Sequence, residues 1–173
     1  MFKNSTVLFS VGIIIITGLV SQASAECLSA KGKITNNAQP GGNTQGVVAL
    51  NLGNDKYKCA LIGEAQPQIP GGPNFLHKAV CDDKASPGTA QAQVTFETRF
   101  LANPADSITG FCPEGNLWGP VSFSFEEIST PIPSSARGEF SEVTDQGSII
   151  ITGDYNCDGG ITMNFDGEIC FAE

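Results

Sequence analysis

The sequence predicts a single all-β domain of eight or nine antiparallel strands, closed into a barrel or, as the alternative, folded into a two-layer sandwich. Apolar and polar residues alternate with a period of two along much of the chain, and helical periodicity is nearly absent. Segments rich in Gly and Pro separate the alternating runs. Many short antiparallel strands are stable as a barrel or a sandwich because both arrangements cover the apolar faces. Consecutive hairpins favour the barrel.

The N-terminal residues have the features of a signal peptide. Lys3 precedes a run of about 14 mostly apolar residues, and Ala23-Ser24-Ala25 has the small-x-small pattern of a cleavage site. The run is shorter than the roughly 20 residues of a membrane span. We therefore expect residues 1–25 to be removed and residues 26–173 to be exported to a bacterial periplasm or beyond the cell. A retained membrane anchor is the alternative.

The chain is acidic, with 9 basic and 18 acidic residues. Removal of residues 1–25 takes away only Lys3, so the mature chain has a net charge near −10. Such a surface repels nucleic acids and anionic lipids, which excludes both as expected partners. The partner classes that remain are a small molecule, a glycan or a protein.

All six cysteines lie in the mature part of the chain: Cys27, Cys59, Cys81, Cys112, Cys157 and Cys170. An even number of cysteines in an exported chain predicts disulfides, and three bonds among six cysteines allow fifteen connectivities. The sequence does not choose between them. No C-x-x-C pair occurs, which argues against a zinc site or a thioredoxin-like redox site.

The predicted strands follow one another along the chain. A first strand covers residues 30–36, and a hairpin covers residues 47–62 with a four-residue loop at 53–56 that places Leu52 opposite Tyr57. Later strands are predicted at residues 75–81, 94–100, 121–126 and 137–143. Loops are predicted at residues 40–42, 67–73, 86–88 and 130–135, where Gly, Pro and Ser concentrate.

Residues 154–166, DYNCDGGITMNFD, begin like a calcium-binding loop. Asp154, Asn156 and Asp158 occupy ligand positions 1, 3 and 5 of such a loop, but Phe165 stands at position 12, where a carboxylate is needed. A hairpin with a three-residue loop at 158–160 accounts for more residues, because it places Tyr155 opposite Met163 and makes one face apolar. The hairpin is favoured, and a calcium site at the three ligand positions is the alternative.

No catalytic residue is predicted. His77 is the only histidine and no nucleophile motif accompanies it, so we interpret it as structural or exposed. The acidic pairs Asp82-Asp83 and Glu126-Glu127 are adjacent, so within a strand their carboxyl groups point to opposite faces. We interpret them as surface charges rather than as a glycosidase pair.

One loop is a candidate binding site. Residues 107–120 contain Phe111, Cys112 and Trp118, the only tryptophan. Aromatic side chains on a disulfide-pinned loop suit sugar or peptide recognition. In the favoured interpretation, however, Phe111 and Trp118 plug one end of the barrel.

These observations predict an exported, disulfide-stapled binding or interaction module of unknown ligand, without catalysis. The ligand is expected to be apolar and inside the barrel, or a glycan or protein at the Trp118 loop. The first alternative is a small secreted enzyme with its site in the barrel interior, which a polar interior bearing carboxylates would favour. The second is a calcium-stabilised surface protein. No cofactor other than calcium is expected.

Overall fold

Eight strands form a closed antiparallel barrel, and one additional short strand pairs with the beginning of the longest of them. The computed structural model describes residues 25–82, 90–117 and 119–173. In these ranges the strands are β1 (Ala25–Ala38), β2 (Thr44–Leu52), β3 (Asp55–Ala65), β4 (Phe75–Asp82), β5 (Ala90–Phe100), β6 (Ile108–Phe111), β7 (Val121–Gly138), β8 (Ile149–Tyr155) and β9 (Gly160–Ala172). The predicted all-β barrel is confirmed. The predictions for residues 1–24, Asp83, residues 86–88 and Trp118 lie outside the described residues.

The sheet runs β5-β4-β3-β2-β1-β9-β8-β7, and a further pairing of β5 with β7 closes it. Each strand alternates between the barrel interior and its outer surface, as the period of two predicts. On β5, Val94 and Thr98 are buried, whereas Glu97 and Arg99, on the opposite face, form an ion pair at the surface. In the part of the chain that the structure covers, no helix is long and apolar enough to cross a membrane.

Both predicted hairpins form, but each has a register that differs by two residues from the prediction. In the first, Leu50 rather than Leu52 lies opposite Tyr57, because the loop contains only Gly53 and Asn54. Gly53 has a φ of +56°, a conformation that suits the first position of a tight two-residue loop. A slip of two residues keeps every side chain on its face, so alternation alone does not determine the register of a hairpin.

In the second hairpin the three-residue turn lies one residue earlier than predicted, at residues 157–159 rather than 158–160. Tyr155 pairs with Ile161 rather than with Met163. The backbone N–H of Asn156 donates to the Gly160 carbonyl at 2.9 Å, and the N–H of Gly159 donates to the Asn156 carbonyl at 2.9 Å. The apolar face of the predicted hairpin is nevertheless preserved.

The bounds of β7, the longest strand, show that two predictions are wrong. Residues 130–135 were predicted as a loop and residues 137–143 as a strand, but β7 continues to Gly138 and a turn follows it. Pairing with β5 passes from Thr95–Ile132 to Gln93–Arg137, so residues 133–136 bulge out of the ladder. The Ser135 hydroxyl accepts from the Thr95 N–H at 2.8 Å and donates to the Ile132 carbonyl at 2.7 Å. This side chain therefore replaces a backbone partner in the bulge.

Three disulfides form, as predicted. Cys59–Cys81 joins β3 to β4 inside the barrel, and Cys27–Cys170 joins β1 to β9. Cys112–Cys157 connects the loop after β6 to the β8–β9 turn. The loop predicted at residues 107–120 also contains β6, which pairs with the beginning of β7.

One end of the barrel is closed by Phe140, which follows β7. Phe140 is 2% exposed and meets the ring of Tyr57 edge-on at 5.5 Å. The predicted plug of Phe111 and Trp118 is wrong for Phe111, because that side chain is 86% exposed. Beneath Phe140, the interior retains an almost wholly apolar cavity of only about 60 Å³. This end therefore holds packed side chains rather than a ligand.

We expect Phe140→Ala to lower the free energy of unfolding by about 3–5 kcal/mol, because it removes a buried aromatic ring from the closed end. Phe111→Ala is the matched control and should change the free energy of unfolding by less than about 0.5 kcal/mol. Urea denaturation of the oxidised protein measures both. Equal losses for the two variants would contradict the assignment of Phe140 as the plug.

Candidate functional site

The opposite end of the barrel is open and contains a pocket of about 510 Å³. We call it the mouth pocket. Its rim is formed by the 3-10 turn Pro40–Gly42 between β1 and β2, and by Leu117 from the loop after β6. Its wall is formed by the adjoining ends of six strands, namely β1, β2, β4, β5, β7 and β8, together with the start of β9. These ends meet at one level because successive strands are antiparallel.

Six neighbouring rings form an aromatic arc around the mouth pocket. In order of contact they are Tyr155, Phe123, Phe125, Phe100, Phe75 and His77. Their centroids are 5.1 to 6.1 Å apart, from the stacked pair Phe123–Tyr155 to the tilted pair Phe123–Phe125. All six residues line the pocket. The arc therefore supplies a large, stiff apolar surface for a ligand.

Local sequence patterns explain how the rings reach the pocket. On β7, Phe123 and Phe125 alternate with Ser122 and Ser124, so the rings share one face. Gly153 lies opposite Phe125 on β8, and a Cβ atom on this glycine would come within 2.7 Å of the Phe125 Cζ atom. The absence of a side chain at Gly153 therefore makes room for the Phe125 ring.

Six buried polar side chains form a second group in the barrel, which we call the polar belt, and four of them line the mouth pocket. Its members are Asn36, Thr44, His77, Thr98, Glu127 and Ser129. His77 Nδ1 lies 2.9 Å from Thr98 Oγ1, which in turn lies 2.7 Å from Ser129 Oγ. Asn36 Nδ2 donates to Thr44 Oγ1 at 3.3 Å. Most of the belt is thus joined by hydrogen bonds, as buried polar groups require.

Gly63 on β3 allows two members of the belt to approach one another. It lies between Thr44 on β2 and His77 on β4. A Cβ atom on Gly63 would be 2.4 Å from Thr44 Oγ1 and 2.7 Å from His77 Nε2, so both side chains occupy the space above the glycine. Burial lowers the pKa of His77 to about 4, which keeps its ring neutral at pH 7. The predicted structural role of His77 agrees with this environment.

Asn36 Oδ1 is buried without a hydrogen-bond partner among the described residues, and Glu127 is the other member of the belt with an unpaired group. Its side chain is 3% exposed and lies between Phe100 on β5 and Ile151 on β8. With the described residues, its carboxyl group makes no hydrogen bond or ion pair. Burial raises its pKa to about 7, because water no longer stabilises the charged form. Glu127 is therefore a buried, unpartnered carboxyl group facing the mouth pocket.

Sequence reasoning missed this residue. The prediction that Glu126 and Glu127 point to opposite faces is confirmed, since Glu126 is exposed. The interpretation of both as surface charges is wrong for Glu127. Continuing the alternation of Phe123 and Phe125 by one step would have placed Glu127 inside the barrel.

Of the other predicted site residues, those that the structure describes are not among the residues that line the mouth pocket. Asp154, on the outer face of β8, accepts a hydrogen bond from Ser124 Oγ at 2.7 Å. Asp158 Oδ1, in the β8–β9 turn with Asn156, accepts from the Gly160 N–H at 2.8 Å. Calcium binding there stays a prediction. Phe111 is not among the residues that line the mouth pocket.

One cluster of acidic and cysteine side chains lies among the described residues outside the mouth pocket. Among the described residues, the one group of three or more that could hold a metal ion is Cys27, Glu168 and Cys170. Both of its sulfur atoms belong to a disulfide, and a disulfide sulfur is not the thiolate that metals bind.

Comparison with protein-family models, with curated proteins and with solved structures finds no match to this chain. Function is therefore inferred from the pocket itself, because a barrel fold hosts many unrelated activities.

We expect Glu127→Gln to change how stability depends on pH. Between about pH 4.5 and 7 the folded protein retains a proton on Glu127 that the unfolded chain has lost, so the free energy of unfolding falls as pH rises. Glu127→Gln removes this dependence. Its free energy of unfolding relative to that of wild type should therefore rise by up to about 3 kcal/mol between pH 5 and pH 8. Urea denaturation at several pH values measures it.

Glu126→Gln is the control and should follow the wild-type profile, because Glu126 is exposed on the other face of β7. The low pKa of His77 affects all three proteins equally and cancels from the difference. A constant difference between wild type and Glu127→Gln across this range would contradict the burial of an uncompensated carboxyl group.

Proposed function

We propose that this protein is an exported, non-catalytic binding module that holds a small, largely apolar molecule in the mouth pocket. One observation carries the proposal: the barrel is packed and closed at the Phe140 end and open at the end that the aromatic arc surrounds. A barrel of eight strands is wide enough either to be filled by side chains or to hold one small ligand. In this barrel, side chains fill the Phe140 end, and the end that the aromatic arc surrounds has room for a ligand.

The size and lining of the mouth pocket support a small-molecule ligand. Its volume of about 510 Å³ lies within the roughly 300–1,000 Å³ of small-molecule sites. Such sites have mainly apolar and aromatic walls with a few polar groups that orient the ligand. Here the aromatic arc forms the wall, and Asn36, Thr44 and Glu127 are the polar groups.

The disulfide nearest the pocket supports a preformed site. Cys112–Cys157 ties the loop that carries Leu117 to the β8–β9 turn, and Asn116 Nδ2 donates to the Cys157 carbonyl at 2.6 Å. A rim that is already ordered costs less entropy when a ligand binds. Three disulfides are also typical of exported proteins, which supports a periplasmic or extracellular location.

Binding rather than catalysis is supported by the groups in the pocket. Glycoside hydrolysis needs two carboxyl groups, and Glu127 is the only carboxyl group among the described residues that line the mouth pocket. All six cysteines are in disulfides, so none is a thiol nucleophile. His77 is buried and already bonded to Thr98.

The test is calorimetric titration of residues 26–173, in the oxidised form, with 2-(1-naphthyl)ethanol, a neutral probe with a fused ring and a hydroxyl group. We expect saturable binding of one molecule per chain. Phe123→Ala should weaken this binding about tenfold, because it removes one ring of the stacked pair Phe123–Tyr155.

Phe111→Ala is the matched control, because it removes a phenyl ring from the outside of the barrel. It should leave the affinity for the probe unchanged. A loss of binding in Phe111→Ala, with full binding in Phe123→Ala, would move the site to the loop around Phe111 and overturn the proposal. Absence of binding to the wild-type protein would also overturn it.

A further inference from the structure

The charge of the mouth pocket is set by one side chain. Among the described residues that line it, none is lysine or arginine, and Glu127 is the only acidic residue. The other titratable groups that face it are His77 from β4, which is neutral at pH 7, and Tyr155 from β8, whose pKa is raised by burial. The strands β1, β2, β5 and β9 contribute no titratable side chain to the lining.

No described residue compensates the carboxyl group of Glu127. Its cross-strand neighbours on the inner face are Phe100 and Ile151, which offer no hydrogen-bond donor from their side chains. A buried carboxylate without a partner is costly, and proteins retain such groups chiefly where they meet a ligand or take part in chemistry. A partner for this carboxyl group can reach it from the mouth pocket, which Glu127 lines.

The surroundings of Glu127 favour a cation over a neutral or anionic partner. The rings of the arc line the mouth pocket, and an ammonium group within about 6 Å of the face of an aromatic ring is attracted to it. The whole chain has a net charge of −9, so a cation is also attracted from a distance and an anion is repelled. The long-range field, the aromatic wall and the buried carboxyl group thus select the same sign of ligand charge.

We propose that the ligand of the mouth pocket is an apolar amine whose ammonium group pairs with the Glu127 carboxylate within the aromatic arc. This inference rests on the proposed function and specifies the ligand class. The apolar part of the amine contacts Phe123, Phe125 and Tyr155, while the ammonium group lies at the polar belt. The Thr44 hydroxyl and the Asn36 amide lie in the same wall and offer further polar contacts.

The experiment compares three probes of the same shape and different charge. They are 2-(1-naphthyl)ethylamine, 2-(1-naphthyl)ethanol and 1-naphthylacetate, each titrated calorimetrically at pH 8. We expect the amine to bind at least about 30-fold more tightly than the alcohol, because it supplies the partner of a desolvated charge. The acetate should bind more weakly than the alcohol.

Glu127→Gln keeps the size of the side chain and removes its charge, so the affinities for amine and alcohol should become similar. Glu126→Gln removes one negative charge from the outer face of the same strand and should preserve the wild-type preference. Together, the two variants separate pairing at Glu127 from attraction by net charge. If both variants lose the preference equally, only net charge is involved and the inference is overturned.

The pH dependence provides a second readout. The amine stays charged between pH 5.5 and 8, whereas Glu127 of the free protein takes up a proton below about pH 7. Amine affinity should therefore fall by about tenfold or more from pH 8 to pH 5.5 in wild type, while alcohol affinity and the Glu127→Gln protein should show no such change.

Failure of the inference is distinguishable from failure of the proposed function. Binding of the alcohol with no preference for the amine would overturn the amine ligand and leave the binding function intact. Stronger binding of the acetate than of the alcohol would also overturn it, because Glu127 would then act as a neutral hydrogen-bond donor. Absence of binding by all three probes would overturn both.

Discussion

The pairing of β7 with β5 is the constraint on which the rest of the structure depends. It converts an open sheet into a barrel and thereby defines an interior. β7 meets β8 over residues 123–129 and β5 over residues 127–138, and the bulge bonded through Ser135 lets one strand serve both partners. Together, the pairings of β7 with β5 and with β8 place Glu127 between Phe100 and Ile151. The strand that closes the barrel thus also positions the carboxyl group of the pocket.

The barrel interior changes character from one end to the other. Phe140 and the side chains below it form a packed apolar core, whereas the mouth pocket is open and surrounded by rings. The polar belt lies between these regions. Hydrogen bonds offset the burial of His77, Thr98 and Ser129, but nothing comparable offsets the burial of Glu127. Proteins accept such uncompensated groups mainly at functional sites, which links the stability of this barrel to its proposed binding role.

Much of the fold was predictable because alternation with a period of two determines which face a side chain occupies. Alternation predicts the strand faces and the opposite orientations of Glu126 and Glu127. The number of disulfides follows from the count of six cysteines. The hairpin registers did not follow, because a slip of two residues leaves each face unchanged and only the turn at Gly53 or Gly159 decides it. The Phe140 plug and the pocket also depend on contacts between distant segments. Local pattern does not encode such contacts.

The most direct test of the central claim is the titration of the Glu127 carboxyl group itself. The side-chain carboxyl carbon can be followed by ¹³C NMR and assigned by its absence in Glu127→Gln. The account predicts a midpoint near pH 7 in the free protein that falls by at least about one unit with saturating 2-(1-naphthyl)ethylamine and stays unchanged with 2-(1-naphthyl)ethanol. A midpoint that does not move when the amine binds would contradict pairing at Glu127. A midpoint near 4.5 in the free protein, the ordinary value for this group, would contradict its burial.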